Sequence, residues 1–372
     1  MRVGVPREIK VHEYRVGLVP AGVRELVRRG QEVLVQAGAG LGVGIPDQAY
    51  TSAGAWIVDS AADVFEEADL VVKVKEPQAS EHKYLRAGQV LLTYLHLAPD
   101  PAQTRALLDS GCIAVAYETV TDGKGGLPLL APMSEVAGRM AVQVGAHHLE
   151  KEQGGNGVLL AGVPGVLPAN VVVIGGGVAG TNAARMALGQ QARVTVIDND
   201  ISKLDRLDRL YGRELDTLYS TADHIEAAVA QADLVVGCVL RPGASAPKLV
   251  TREMIRKMAN GGVLVDVAID QGGCFETSRP TTHAEPTYLA EGCIHYGVTN
   301  MPGAVARTST FALTNATLRF ILALADNGVQ KALAADPHLM AGLNVADGKV
   351  THKEVARSHG YSYVPPQEAL GL

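Results

Sequence analysis

The chain is short of charge, of cysteine and of long apolar runs. Asp, Glu, Lys and Arg make up only 19% of 372 residues, the net charge is −6, and no basic cluster stands out. A nucleic-acid partner would require a basic stripe or patch, so that class is excluded. No apolar run is long enough for the roughly 20 residues that a membrane helix needs, and no membrane partner is expected. Met1-Arg2-Val3-Gly4-Val5 leads straight into a short strand with no signal-type apolar region behind it, so the cytoplasm is the expected location. The four cysteines, Cys112, Cys238, Cys274 and Cys293, form no CxxC pair and have no regular spacing. They read as reduced, mostly buried thiols. His147-His148-x-Glu150 is metal-like at first sight, but adjacent histidines on a helix point in different directions, and no metal is expected. No low-complexity tract interrupts the chain.

Glycine, by contrast, is abundant. The 41 glycines, with 47% hydrophobic residues, suit a globular protein of alternating strands and helices with many tight turns. A chain of this length exceeds one ordinary core, so two domains are expected.

One stretch organises the rest. Val171-Val172-Val173-Ile174 is β-branched throughout and reads as a buried parallel strand. Gly175-x-Gly177-x-x-Gly180 follows at once, and Thr181 to Leu188 reads as a helix. A second strand, Arg193 to Ile197, ends at Asp198. Gly175 allows the tight turn, Gly177 lets a pyrophosphate approach the backbone, and Gly180 lets the helix pack against the strand. The N–H groups at the start of that helix then face the phosphates. Asp198 stands where a carboxylate accepts hydrogen bonds from a ribose diol. With Asp200 it should repel a 2′-phosphate, which favours NAD over NADP, and the nearby Lys203 weakens that preference.

Before this unit the chain reads as a second doubly wound sheet. Arg2 to Val5 is a strand stopped by Pro6. Pro20 to Arg29 is helical, with Val23, Leu26 and Val27 on one face and Gly30 at the end. Glu32 to Gln36 is a strand, and Gly38 to Gly44 a turn without dinucleotide spacing. Ala68-Asp69-Leu70-Val71-Val72 has an echo in Ala232-Asp233-Leu234-Val235-Val236, each an Ala-Asp step into an apolar strand. Lys75 lies at the carboxyl end of one strand and His96 at the end of Val90 to Leu95, the rim where open α/β sheets bind ligands. Ser134 is expected to cap a helix from Glu135 to about Glu150, and Gly154 to Pro168 to form a flexible link. Further strands are expected to end at Leu240, at Asp270 and at Asn300, with Asp266 inside its strand and structural. From Pro302 the chain turns helical, and its last part is too small to fold alone. The first domain is therefore expected to be discontinuous, 1–128 plus 309–372, around a nucleotide domain at 129–308.

These residues together resemble the alanine dehydrogenase family along nearly the whole chain. The likeness is carried by Gly4-Val5-Pro6-Arg7-Glu8 with Glu13-Tyr14-Arg15, Val72-Lys73-Val74-Lys75-Glu76-Pro77, Thr93-Tyr94-Leu95-His96, Pro132 to Arg139, Asp266 to Gly273 and Asn300-Met301-Pro302-Gly303-Ala304. The nucleotide-binding part of proton-translocating transhydrogenase shares the fold pair. The resemblance implies reversible NAD-dependent deamination of L-alanine to pyruvate and ammonium, and a homohexamer. It implies that Arg15 and Lys75 bind substrate, that His96 is the general acid/base, and that Asp270 is the second catalytic residue. The cofactor site it implies is lined, besides Gly175, Gly177 and Gly180, by Ser134, Val178, Ala179, Asp198, Lys203, Ser220, Val239, Leu240, Val267, Ala268, Ile269, Asp270, Arg279, Val298, Thr299, Asn300 and Met301. One departure is Ala306, where proline is expected; it should loosen the start of the following helix.

The residue types suit that chemistry. Arg15 offers a two-pronged donor for a carboxylate, and Lys75 a positive charge near a carboxylate or developing carbonyl oxygen. His96, with an ordinary pKa of about 6.5, suits proton transfer at neutral pH. Two alternatives stay open at this level: an NAD(H)-binding subunit of a transhydrogenase-like complex, and a dehydrogenase for a bulkier amino acid.

Overall fold

The computed structural model describes residues 1–239 and 246–372. The chain forms two compact units, Met1–Met133 with Val305–Leu372, and Ser134–Ala304. In the first stretch the strands are β1 (Arg2–Val5), β2 (Glu32–Gln36), β3 (Trp56–Val58), β4 (Leu70–Val72), β5 (Val90–Thr93) and β6 (Ile113–Ala116). The second unit holds β7 (Asn170–Ile174), β8 (Arg193–Asp198), β9 (Leu215–Tyr219), β10 (Leu234–Gly237), β11 (Val263–Asp266), β12 (Thr287–Ala290) and β13 (Cys293–Tyr296). The returning C-terminal segment adds β14 (Leu343–Ala346) and β15 (Lys349–Val350) to the first unit.

Among the described residues these strands make two sheets, in the orders β15-β14-β6-β5-β4-β1-β2-β3 and β12-β13-β11-β10-β7-β8-β9. Both are parallel at the centre and antiparallel at one edge, where β14 pairs with β6 and β15, and β12 with β13. Short turns permit these antiparallel additions, whereas the central parallel strands need helical crossovers. Both units are thus Rossmann-like α/β folds. In the second, the strand order reverses direction between β7 and β10, the switch point where such sheets open a crevice at their carboxyl ends.

The Ala-Asp echo in the sequence is a structural repeat. Asp69 Oδ2 accepts the N–H of Arg2, the first residue of β1, at 2.8 Å, and Asp233 Oδ2 accepts the N–H of Asn170, the first residue of β7, at 2.9 Å. In each unit the same aspartate's carbonyl oxygen accepts from the next strand, Val90 or Val263, at 2.9 Å. Each aspartate therefore ties together three parallel strands at their amino ends.

Several expectations shift. The first helix is Pro20–Arg28, with Val23 and Leu26 buried but Val27 36% exposed, because one residue turns the helix about 100° away from the core. The strand expected to reach Asp270 stops at Asp266, and the one expected to reach Asn300 stops at Tyr296. The helix around Ser134 starts earlier, at Ala131, and runs to His148. Pro132 sits in its first turn, where a missing N–H is harmless; Ser134 is therefore inside the helix and not its cap. The segment 154–168 is no flexible link. Asn156 is bound through its N–H to Gly261 and through its side chain to Asp233, and Val163 pairs with Val166. The helix Ala306–Asn327 begins at the alanine where proline was expected, and buries Leu313, Phe320, Ile321 and Leu324 in the first unit. All four cysteines are buried and free. Burial pushes the Cys112 and Cys293 thiols up to about 11. Among the described residues no helix is long and apolar enough to cross a membrane.

Removing one of the strand-tying aspartates should be costly. Asp233 also accepts from the Asn156 amide at 3.1 Å and lies in a half-buried setting, so Asp233→Ala is expected to lower unfolding free energy by about 1–3 kcal/mol. Asp69→Ala, which frees the more exposed N–H of Arg2, should cost less. Denaturant unfolding of the two variants checks the order.

Candidate active site

In the second unit the residues singled out by sequence gather along one rim. Gly175 follows β7 with φ +104, a conformation L side chains rarely adopt, and an added Cβ there would lie 2.9 Å from the carbonyl oxygen of Cys238. A Cβ on Gly180 would fall 1.7 Å from the carbonyl oxygen of Gly175, so only glycine lets the helix Val178–Gly189 come this close to the strand. At Gly177, the N-cap of that helix, a Cβ would meet nothing within 4 Å, and among the described residues no side-chain cap bond closes the helix start. The result is a helix start whose N–H groups are of the kind that bind a phosphate, with open space around the Gly177 Cβ position among the described residues. Gly138, on the helix containing Ser134, packs so tightly that a Cβ would approach Ala179 O to 2.1 Å. Ser134 lies one turn earlier on that same face.

Asp198 closes β8, 7% exposed. Its Oδ2 accepts the N–H of Gly176 at 2.7 Å and its Oδ1 that of Asp200 at 2.8 Å. The carboxylate thus holds the glycine turn from below. Lys203 Nζ stands 3.4 Å from Asp198 and 4.0 Å from Asp200, an ion pair on the rim. Ser220, after β9, donates its N–H to the carbonyl of Asp198. Val239 follows β10, its Cγ2 3.2 Å from where a Gly175 Cβ would lie; Leu240 lies outside the described residues.

Past β11 the chain turns into a short helical turn, Ile269–Gln271, which carries Asp270 exposed at the rim. Buried Asp266 holds this loop: its carboxylate accepts the N–H of Ala268 at 3.0 Å, that of Cys274 at 2.9 Å, and the Ser278 hydroxyl. Burial raises the Asp266 pKa, and these donors partly offset the rise. Val298 bridges to Thr281 and Thr299 bonds to it, while Asn300 has a left-handed backbone, φ +59. Met301 is buried at the start of the turn that follows. Arg279 is exposed, its guanidinium 4.2 Å from the Tyr288 ring centre.

In the first unit the proposed substrate groups follow three neighbouring parallel strands, Lys75 and His96 just past β4 and β5, and Arg15 in the longer loop after β1. Arg15 follows β1 and is 2% exposed. Glu13 holds it bidentately, Nε to Oε1 at 2.7 Å and Nη2 to Oε2 at 2.5 Å, and its Nη1 reaches Met133 Sδ at 3.0 Å. Burial opposes its charge, but Glu13 more than offsets that and raises the guanidinium pKa. Beside it lies a cavity of ≈ 380 Å³ bounded by Arg7, Glu8, Glu13, Tyr14, Arg15 and the turn from Gly38 to Gly42. Lys75 follows β4. Its N–H faces Glu8 at 3.4 Å and its carbonyl accepts from Thr93 Oγ1 at 2.9 Å, which links the ends of β4 and β5.

His96 follows β5 with its ring about half exposed. Its backbone is left-handed, φ +49, an uncommon state for a residue with a side chain. Glu118, beyond β6, explains how it persists. Its carboxylate accepts the N–H of His96 at 2.6 Å and of Leu95 at 3.2 Å, and stands 3.9 Å from His96 Nδ1. The ring stacks on Tyr94, centroids 5.9 Å apart and planes 6° apart. Sequence reasoning missed Glu118, Tyr94 and Glu8. Glu118 had the same signal as His96, a polar residue just past an apolar strand.

The glycine geometry gives a paired prediction. Gly177→Ala should fold normally, within about 2 °C of the parent Tm, because its φ of −72 suits alanine and its Cβ meets open space. It should still weaken dinucleotide binding at least tenfold, about 1.4 kcal/mol, by filling that space. Gly180→Ala should lose both stability and binding, since its Cβ strikes backbone. Thermal melts with and without coenzyme distinguish the two.

Comparisons with known proteins agree with this layout. A family model described as alanine dehydrogenase/PNT, N-terminal domain, matches residues 4–137, and one described as alanine dehydrogenase/PNT, C-terminal domain, matches residues 141–353. The alanine dehydrogenase of Halomonas elongata is 62% identical over 371 residues, covering 100% of each chain. A solved L-alanine dehydrogenase matches with a TM-score of 0.94 at 50% identity, over 97% of this chain and 99% of that one. A transhydrogenase from Sinorhizobium meliloti matches with a TM-score of 0.82 at 27% identity, over 95% and 99% of the two chains. With a glycine turn held by a carboxylate on the second of two Rossmann-like units, and family models matched over residues 4–137 and 141–353, the chain belongs to the alanine dehydrogenase/PNT family.

Proposed function

We propose that this protein is an enzyme that catalyses the reversible, NAD-dependent oxidative deamination of L-alanine to pyruvate and ammonium. The observation that carries this reading is 62% identity to an alanine dehydrogenase over the full chain, combined with Lys75 and His96 just past the ends of the adjacent strands β4 and β5 and Arg15 in the loop after β1. A transhydrogenase-like role is less well supported, at 27% identity. The second unit, with the Gly175–Gly180 turn, would hold NAD; the first would hold the amino acid.

The residues present fit a dinucleotide. The uncapped helix start at Gly177 would take the pyrophosphate, with the Ser134 hydroxyl on the neighbouring helix face beside it. Asp198, already an acceptor for the Gly176 N–H, would accept from the adenosine ribose. Its carboxylate disfavours a 2′-phosphate, and Lys203 neutralises it only in part from 3.4 Å. Val178, Ala179, Ser220, Val239, Leu240, Val267, Ala268, Ile269, Arg279, Val298, Thr299, Asn300 and Met301 would complete the lining. Bound NAD would supply the acceptor for the hydride of the substrate Cα.

The chain's own groups handle charge and protons. Arg15 and Lys75 bind the carboxylate and the oxygen at C2, the first rigidly because Glu13 fixes its plane. His96 moves the protons: it takes one as water adds to the imine carbon, and returns one to nitrogen as the C–N bond of the carbinolamine breaks. Its ring is pre-aligned by the Tyr94 stack and by Glu118. Asp270 is the second proton-handling group, held at its rim by the Asp266 loop. The reading extends to a cytoplasmic homohexamer, which mass photometry of the purified protein would test.

Two outcomes check the proposal. Purified protein with L-alanine should reduce NAD at neutral to alkaline pH, with larger amino acids turned over more slowly and NADP poorly used; absence of reduction contradicts it. His96→Ala should lower kcat by about 10²–10⁴ while NADH binding, followed by fluorescence, stays near the parent value.

A further inference from the structure

Two residues before Lys75 stands a second lysine that touches no solvent. Lys73 is 0% exposed, at the carboxyl end of β4. Its Nζ lies 3.0 Å from Glu81 Oε1 and 3.4 Å from Glu8 Oε2, and both carboxylate side chains are 2% exposed. Each carboxylate spends its remaining oxygen on backbone. Glu8 Oε1 accepts the N–H of Val74 at 2.7 Å and faces that of Lys75 at 3.4 Å. Glu81 Oε2 accepts the N–H of Gln78 at 2.8 Å. The turn from Val74 to Gln78, with Lys75 inside it, is thus pinned at both ends by carboxylates, and one ammonium joins the two pins.

We infer that Lys73 is a positioning residue for the reaction, acting through Glu8 and Glu81 to set the place of Lys75. A buried lysine between two glutamates is not explained by stability, because well-packed apolar residues of similar size are often as stable or more so. It is explained by what the carboxylates hold. Burial opposes the charge on Lys73, but the two glutamates outweigh it and keep the ammonium protonated. Burial also pushes Glu8 upward, against the pull of Lys73. Without Lys73 the Glu8 carboxyl, already pushed up by burial, would lose the pull that opposes that rise, and the charge assistance of its bond to the Val74 N–H would weaken. The Lys75 turn would then relax, and a small displacement of a substrate-binding group is enough to weaken binding and rate.

The inference rests on the substrate role proposed for Lys75, and the experiment separates the two. Steady-state kinetics for L-alanine and pyruvate, together with NADH affinity by fluorescence, are measured on the full-length Lys75→Met, Lys73→Met, Glu81→Gln and Lys73→Met/Glu81→Gln proteins. The double variant removes one of the two carboxylates left uncompensated and should recover stability lost in Lys73→Met. The expected result is a rise in KM for pyruvate and alanine of at least tenfold in both Lys73 variants, with NADH affinity within twofold of the parent. The double variant should melt higher than the single one without recovering KM. A purely structural lysine would show the reverse, a lower Tm with parental KM, and that result overturns the inference. Should both Lys73 variants fail to fold, Glu81→Gln decides: KM raised severalfold supports the positioning role, and parental KM overturns it. If Lys75→Met keeps parental kcat/KM, the substrate role of Lys75 is wrong and the positioning claim falls with it. If Lys75→Met is impaired and Lys73→Met is not, only the positioning claim falls.

Discussion

The structure depends on one interaction repeated at the sheet rims: a buried or half-buried carboxylate accepting backbone N–H groups where a parallel strand ends. Within a parallel sheet every N–H has a neighbour, but past the last paired residue the donors face the crevice where ligands bind. Leaving such a group buried and unpaired costs about 1–3 kcal/mol. Here Glu8 takes the donors after β4, Glu118 those after β5, Asp198 those after β7 and β8, and Asp266 those after β11. Each loop held in this way carries a residue of the proposed reaction: Lys75, His96, the glycine turn and Asp270. The same bond type works at the opposite ends of the strands, where Asp69 and Asp233 bind β1 and β7.

This use of carboxylates has an electrostatic consequence. Ionised acceptors make the stronger hydrogen bonds, yet burying them requires partners. The first unit supplies cations from the same rim: Lys73 for Glu8 and Glu81, and Arg15 for Glu13. The pairs Glu13–Arg15 and Glu8–Lys73 are buried together, so the rim that would receive a zwitterionic amino acid is itself a set of fixed, paired charges. A site built this way needs little reorganisation when a charged substrate arrives. Among the described residues no cation pairs with Asp266; burial raises its pKa, and N–H and hydroxyl donors partly offset the rise.

Much of this frame was legible in the sequence. The run from Val171 to Asp198 has a period, a glycine spacing and a terminal acid that admit few other folds, and the strands expected there lie within a residue or two of β7 and β8. Lys75 and His96 were readable because an apolar run ending in a polar residue marks a rim. Other features were hidden for definite reasons. The antiparallel edge strands β12, β14 and β15 are short and partly polar, without the unbroken β-branched run of a central strand. Asp266 ends β11 four residues before Asp270 because its carboxylate folds back onto Ala268 and Cys274, a contact that no spacing rule anticipates. Ser134 lies inside its helix because Pro132 is a better start than the serine. Glu8, Glu81 and Glu118 were passed over because an isolated glutamate in sequence looks like a solvated surface group; only the fold shows them facing inward.

Amide hydrogen exchange in the full-length protein tests the central claim most directly. If carboxylates lock the rim loops, the amides of Val74, His96, Gly176 and Ala268 should exchange as slowly as those in the middle of β5 and β7, although all four lie outside regular strands and helices. Exchange at these amides as fast as at exposed turn residues such as Val11 would contradict it.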